Sequence, residues 1–77
     1  MKYGVYSIQD TLVGFNAPWV MVNDEVAKRE YANFLKTQKN APDMRLYKIG
    51  EFDDNSGELL PDIPRMLIGG GDDEGNI

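Results

Sequence analysis

The residues best equipped for chemistry are crowded into LYKIGEFDDNSGELL, Leu46 to Leu60. There Glu51, Asp53, Asp54, Asn55 and Glu58 carry side-chain oxygens around Gly57. Such a cluster could hold a cation, supply a general acid and base, or simply turn the chain. A calcium loop needs D-x-[DN]-x-[DN]-G and a glutamate at its twelfth position. Counted from Asp53, Asn55 fits the third position, but Gly57 falls at the fifth and Pro64 at the twelfth. A glycosidase-type pair must face across a cleft, and a short chain has little room for a pocket of the ~300 Å³ typical of ligand sites. The chain has neither histidine nor cysteine, so the commonest general base and the thiolate zinc ligands are missing. No catalytic residue, no metal and no cofactor is therefore expected, and the stretch reads as a hairpin turn. Asp and Asn favour turns by bonding their own backbone, and Gly57 can take a positive φ.

Two other groups of residues point to binding rather than catalysis. Lys28, Arg29, Lys36 and Lys39 fall within about 100° of one another on a helical wheel. Four cations on one stripe could neutralise a few phosphates, although any soluble helix also needs a solvated face. Glu25 can pair with Arg29 at i+4 and partly offset the stripe. The second group is aromatic. Tyr3, Tyr6, Phe15, Trp19, Tyr47 and Phe52 all fall on expected strands. On an uncovered sheet face Trp19 and Tyr47 could stack single-stranded bases, at about 1–3 kcal/mol each. The competing reading is a core or a dimer interface, where aromatics are enriched. GGGDDEG is not a phosphate loop, because acids follow where a helix N-terminus or a lysine is needed.

These residues require elements to position them. YGVYSI, 3–8, is rich in aromatic and β-branched residues and reads as a strand. FNAPWVMV, 15–22, reads as a second, at an edge or bulged near Pro18, which cannot donate to a ladder. Its alternation puts Phe15, Ala17, Trp19 and Met21 on one face. Asn23 or Asp24 then caps a helix through DEVAKREYANFLKTQK, which Asn40 and Pro42 end. Ala27, Tyr31, Phe34 and Leu35 make its apolar face. MRLYKIGEF, 44–52, reads as a third strand, and ELL after the turn as a short fourth. The order ββαββ predicts an α+β fold, a small antiparallel sheet of about four strands packed on one helix. Residues 1–62 form the single expected domain, and 63–77 a partly ordered segment ending in an acidic, glycine-rich tail.

At 77 residues the chain allows one domain with a thin core. Without disulfides or a metal, self-association is the remaining common stabiliser, and a homodimer is expected. Thirteen acidic against eight basic residues give a net charge of −5. The charge is uneven. Residues 1–48 hold seven basic against five acidic residues, a net of +2, and residues 49–77 hold one against eight, a net of −7. An acidic protein is a poor non-specific DNA binder overall, so any DNA contact must use a local basic face. No apolar run approaches the ~20 residues that span a membrane, and the start MKYGVYSIQD does not read as a signal peptide. A cytoplasmic protein without membrane contact is expected.

The spelling YGVYSIQD, then VGF and APW, the stretch VNDEVAKREYANF and above all LYKIGEFDDNSGEL resemble the small non-structural proteins of gokushoviruses, single-stranded DNA phages of the Microviridae. Asp43, Leu46, Tyr47, Ile49, Gly50, Phe52, Asp53, Asp54 and Gly57 match the family's D-Y-x-L-F-x-I-G-x-[FY]-D-D-x-x-G pattern, with Tyr47 at its aromatic position. The resemblance covers about residues 1–60. TQKNAPDM stands where the family has a longer loop containing histidine. The resemblance implies a non-enzymatic accessory protein of viral DNA synthesis or packaging in the host cytoplasm, binding single-stranded DNA. It assigns no residue roles. Lys28, Arg29, Lys36 and Lys39 are the expected DNA contacts, with Trp19 and Tyr47 as stacking partners. The alternative is a protein–protein module acting on a viral or host replication protein through its acidic C-terminal part.

Overall fold

The computed structural model describes residues 1–69; the glycine-rich acidic stretch expected to end the chain lies, from residue 70 on, outside them. The strands are β1 (Lys2–Asp10), β2 (Gly14–Phe15), β3 (Trp19–Met21), β4 (Met44–Asp53) and β5 (Glu58–Gly69). Between β3 and β4 come helix α1 (Asp24–Leu35) and a 3-10 turn at Ala41–Asp43. All strand pairs are antiparallel. β1 lies in the middle, with β4 and then β5 on one side and both β2 and β3 on the other. The fold is the expected small α+β sandwich of one helix on one sheet.

The expected second strand is broken into β2 and β3 at Asn16–Pro18. Gln9 faces Phe15, whereas Val5 faces Val20, so one extra residue enters between the two pairings. Asn16 N–H donates to the Ile8 carbonyl at 2.8 Å. Its own carbonyl accepts from the Ser7 hydroxyl at 2.7 Å, which pins the bulge to β1. One inserted residue reverses every following side chain. Phe15 therefore does not share a face with Trp19 and Met21, as the simple alternation had them.

Asn23 caps α1, its side chain accepting from Val26 N–H at 2.9 Å. Asp24 and Glu25 follow in the first turn, where the helix dipole favours negative charge. The helix stops at Leu35, short of the expected Asn40. Lys36, Thr37 and Gln38 N–H donate to the carbonyls three residues back, which tightens the last turn into 3-10 form. The Thr37 hydroxyl also donates to the Phe34 carbonyl at 2.9 Å.

Pairing of Ile8 with Leu46 and Asp10 with Met44 sets these residues on the face that α1 covers. The core is Tyr6, Ile8, Ala27, Tyr31, Met44 and Leu46, with Trp19, Met21, Phe34, Leu35, Leu67 and Ile68 packed around it. Two hydroxyls bind the layers together. Tyr31 donates to the Met44 carbonyl at 2.9 Å, and Tyr6 to Asp24 at 2.6 Å.

β5 runs far beyond the expected ELL. Pro61 and Pro64 read as stops, yet β5 is an edge strand, where a missing N–H can face outward. Pro61 pairs with Gly50 and Arg65 with Lys48, so the residues between them bulge opposite Ile49. The acidic turn is a hairpin turn, as expected. Gly57 sits at φ +74° and donates to the Asp53 carbonyl at 2.8 Å, and the Asp53 side chain accepts from Asn55 N–H at 2.9 Å.

Candidate nucleic-acid interface

The six residues singled out for DNA do not share one surface. Lys28 and Arg29 lie on α1, Lys36 caps its C-terminus, and Lys39 lies beyond the helix end. The wheel position expected for Lys39 therefore does not apply to it. Arg29, Lys36 and Lys39 are exposed, and none forms an ion pair among the described residues. Glu25 pairs with Lys28 at 3.9 Å, not with Arg29 as the i+4 spacing suggested. Glu30, the other acid of the helical face, falls about 100° or more from Arg29 and Lys36 by helix geometry.

Trp19 is half-buried and meets Phe34 edge-on, with ring centroids 5.9 Å apart. It is part of the packing between sheet and helix. Tyr47 pairs with Ser7 and points to the opposite, helix-free face. There it meets Phe15 edge-on at 5.3 Å. Trp19 pairs with Tyr6 and Tyr47 with the next residue, Ser7, so the two expected stacking rings lie on opposite faces of the sheet. Phe15 is the ring that the sequence reading missed at this position, because only the bulge turns it toward Tyr47.

Asp24, Asp10 and Asp54 are each engaged by neighbours. Asp24 accepts from Tyr6 and lies 3.7 Å from Lys48, which in turn lies 3.9 Å from Glu51. Asp10 accepts from Asn40 at 2.7 Å and from Leu12 N–H at 2.9 Å. Asp54 binds the N-terminal ammonium at 2.7 Å. The Tyr6 hydrogen bond, helped by Lys48, holds the Asp24 carboxyl below its ordinary value of 3.8 against the opposing effect of burial. Burial, and then the bond to Asp24, push the Tyr6 phenol far above its ordinary value. The backbone N–H of Asn55 likewise lowers the Asp53 carboxyl. This Tyr6–Asp24–Lys48–Glu51 chain joins β1, α1 and β4. The sequence marked Asp24 only as a helix-start residue, since its partners lie far away along the chain.

Because its folded pKa is depressed, Asp24 contributes stability that is present above about pH 4 and lost as pH falls through the folded value. Wild-type protein should therefore lose stability between pH 5 and pH 3 more steeply than Tyr6→Phe. Urea midpoints of the two proteins, measured across that range, test this. At neutral pH, Tyr6→Phe should cost about 1 kcal/mol for the lost hydrogen bond. Parallel pH profiles would remove the bond from the account of acid stability.

Among the described residues, no three of His, Cys, Asp and Glu stand close enough to hold a metal ion, and no helix is long and apolar enough to cross a membrane. The geometry offers exposed cations along one side of α1 and an aromatic pair on the far side of the sheet. Compared with curated proteins and with solved structures, the chain has no match. Against protein-family models it matches Phage ORF5 protein over residues 3–73, which extends past the region of the sequence resemblance. The chain belongs to the Phage ORF5 protein family.

Proposed function

We propose that this phage protein is a non-enzymatic accessory protein of gokushovirus type. It acts in the host cytoplasm during replication or packaging of a single-stranded DNA genome. It does so by holding single-stranded DNA against the outer side of α1. The observation that supports this reading is the set of exposed cations Arg29, Lys36 and Lys39. None of them forms an ion pair among the described residues. Lys28, shared with Glu25, adds a fourth contact when DNA displaces that weak surface pair.

The reading makes a quantitative prediction. Each phosphate neutralised on a single strand contributes a slope of about −0.7 in log affinity against log salt. Three or four cations therefore give a slope between about −2 and −3. Fluorescence anisotropy of a labelled single-stranded oligonucleotide, titrated at two salt concentrations, measures it. Arg29→Glu with Lys36→Glu should weaken binding about tenfold or more, equally for all base sequences, and should flatten the salt slope by about 1.4. Absence of binding at low salt, where attraction is strongest, would overturn the reading. A protein contact through the acidic stretch at Asp53, Asp54 and Glu58 would then replace it, with a viral or host replication protein as partner.

A further inference from the structure

The helix-free face of the sheet is apolar, with Val5 and Ser7 buried at its middle and exposed apolar side chains around them. Phe15 is 50 % exposed, Val20 53 % and Met66 53 %. Val20 alternates with Trp19 and Met21, and Met66 pairs with Tyr47, so all three lie on the Tyr47 side. Pro18 from one edge and Pro64 from the other come together with Phe15 and Ile49 around a hollow of about 330 Å³. Of the cations, Arg45 flanks this face, and its guanidinium donates to the Asp43 carbonyl at 3.4 Å.

We propose that a second copy of this chain covers the helix-free face, sheet against sheet, in a two-fold dimer. Three observations select this occupant. The chain carries a net charge of −5, so two copies repel unless they meet on a surface without like charges, and this face is such a surface. Nucleic acid would need several cations here, and Arg45 is one. Finally, Pro61 and Pro64 on β5 remove N–H donors from that edge, which disfavours strand-to-strand pairing along it and leaves face-to-face packing. Sheets packed this way lie about 10 Å apart with interdigitated side chains. The hollow between Pro18 and Pro64 can then take an apolar side chain of the partner. The dimer carries its two α1 helices on opposite outer sides, so it stands or falls independently of DNA binding.

Sedimentation equilibrium without DNA tests the dimer. Wild-type protein at about 100 μM should weigh twice the 8.7 kDa of the chain. Met66→Glu and, separately, Phe15→Glu should raise the dimer dissociation constant about a hundredfold and give 8.7 kDa, with an unchanged far-ultraviolet spectrum. Ala32→Glu, on the exposed side of α1, should stay dimeric. A monomeric wild type would overturn the proposal and leave the face to a different protein. A dimer that survives both glutamates would overturn it as well, by placing the contact elsewhere. Should Phe15→Glu fail to fold, Met66→Glu, at a more peripheral site on β5, decides the matter.

Discussion

Tyr31→Ala is expected to unfold most of the protein at 37 °C. Tyr31 is 1 % exposed and stands in the middle of the core beside Ala27, Tyr6 and Leu46. Truncating a buried aromatic to alanine costs about 3–5 kcal/mol. A domain of this length has about 4–12 kcal/mol in total, at 0.05–0.15 kcal/mol per residue. The loss is concentrated where the fold can least compensate. α1 is 12 residues long, a length at which an isolated helix is marginal in water. It persists because its buried residues, Ala27 and Tyr31, seat it on the sheet. Tyr31→Phe separates the ring from the hydroxyl. It keeps the volume but withdraws the donor from the buried Met44 carbonyl, at about 1–3 kcal/mol. Urea unfolding followed by circular dichroism should rank wild type, Tyr31→Phe and Tyr31→Ala in that order. A wild-type midpoint for Tyr31→Ala would mean that α1 is held by something other than this contact.

The parts legible in the sequence are those decided by neighbours along the chain. Asn23 and the acids after it mark the start of α1 because a cap acts within one turn. The Asp53–Gly57 turn is legible because its bonds run between Asp53, Asn55 and Gly57. The end of α1 is different. Lys36 to Gln38 are good enough helix formers, and it is the switch to three-residue hydrogen bonds, with Thr37 reaching back to Phe34, that ends the helix. That choice left Lys39 off the stripe on which periodicity had placed it, while Arg29 and Lys36 remained exposed as expected. The face of Phe15 depended on one inserted residue at Asn16–Pro18. Pro18 announced an irregularity there without saying which way the chain would slip. The Tyr6–Asp24 bond spans 18 positions, and no local pattern carries such a contact.

Gly50→Ala is expected to be the more damaging of two glycine substitutions in the same hairpin, although Gly50 itself has no positive φ. A Cβ at Gly50 would stand 2.6 Å from the Leu60 carbonyl oxygen and 3.3 Å from the Pro61 Cα. Both are backbone atoms of the neighbouring strand, so no rotamer change relieves the clash. β5 must move away from β4 where Pro61 pairs with Gly50. Pro61 offers no N–H with which to re-form the ladder. Overpacking of this kind typically costs about 1–3 kcal/mol, and the upper end of about 3 kcal/mol applies where only backbone can yield. Gly57 makes the contrast. It lies at φ +74°, and a Cβ added there would meet nothing within 4 Å. Gly57→Ala therefore meets only the left-handed backbone penalty of about 1–2 kcal/mol. The displacement at Gly50 has a second consequence. Moving β5 shifts Pro64 and Met66, which border the helix-free face, whereas Gly57 sits at the far end of the hairpin. Gly50→Ala should therefore weaken both the thermal transition and self-association, and Gly57→Ala only the first. Calorimetry and sedimentation on the same two variants separate these effects. Equal melting temperatures would show that β5 yields freely at Gly50, and the tight β4–β5 crossing would then have no part in holding the sheet.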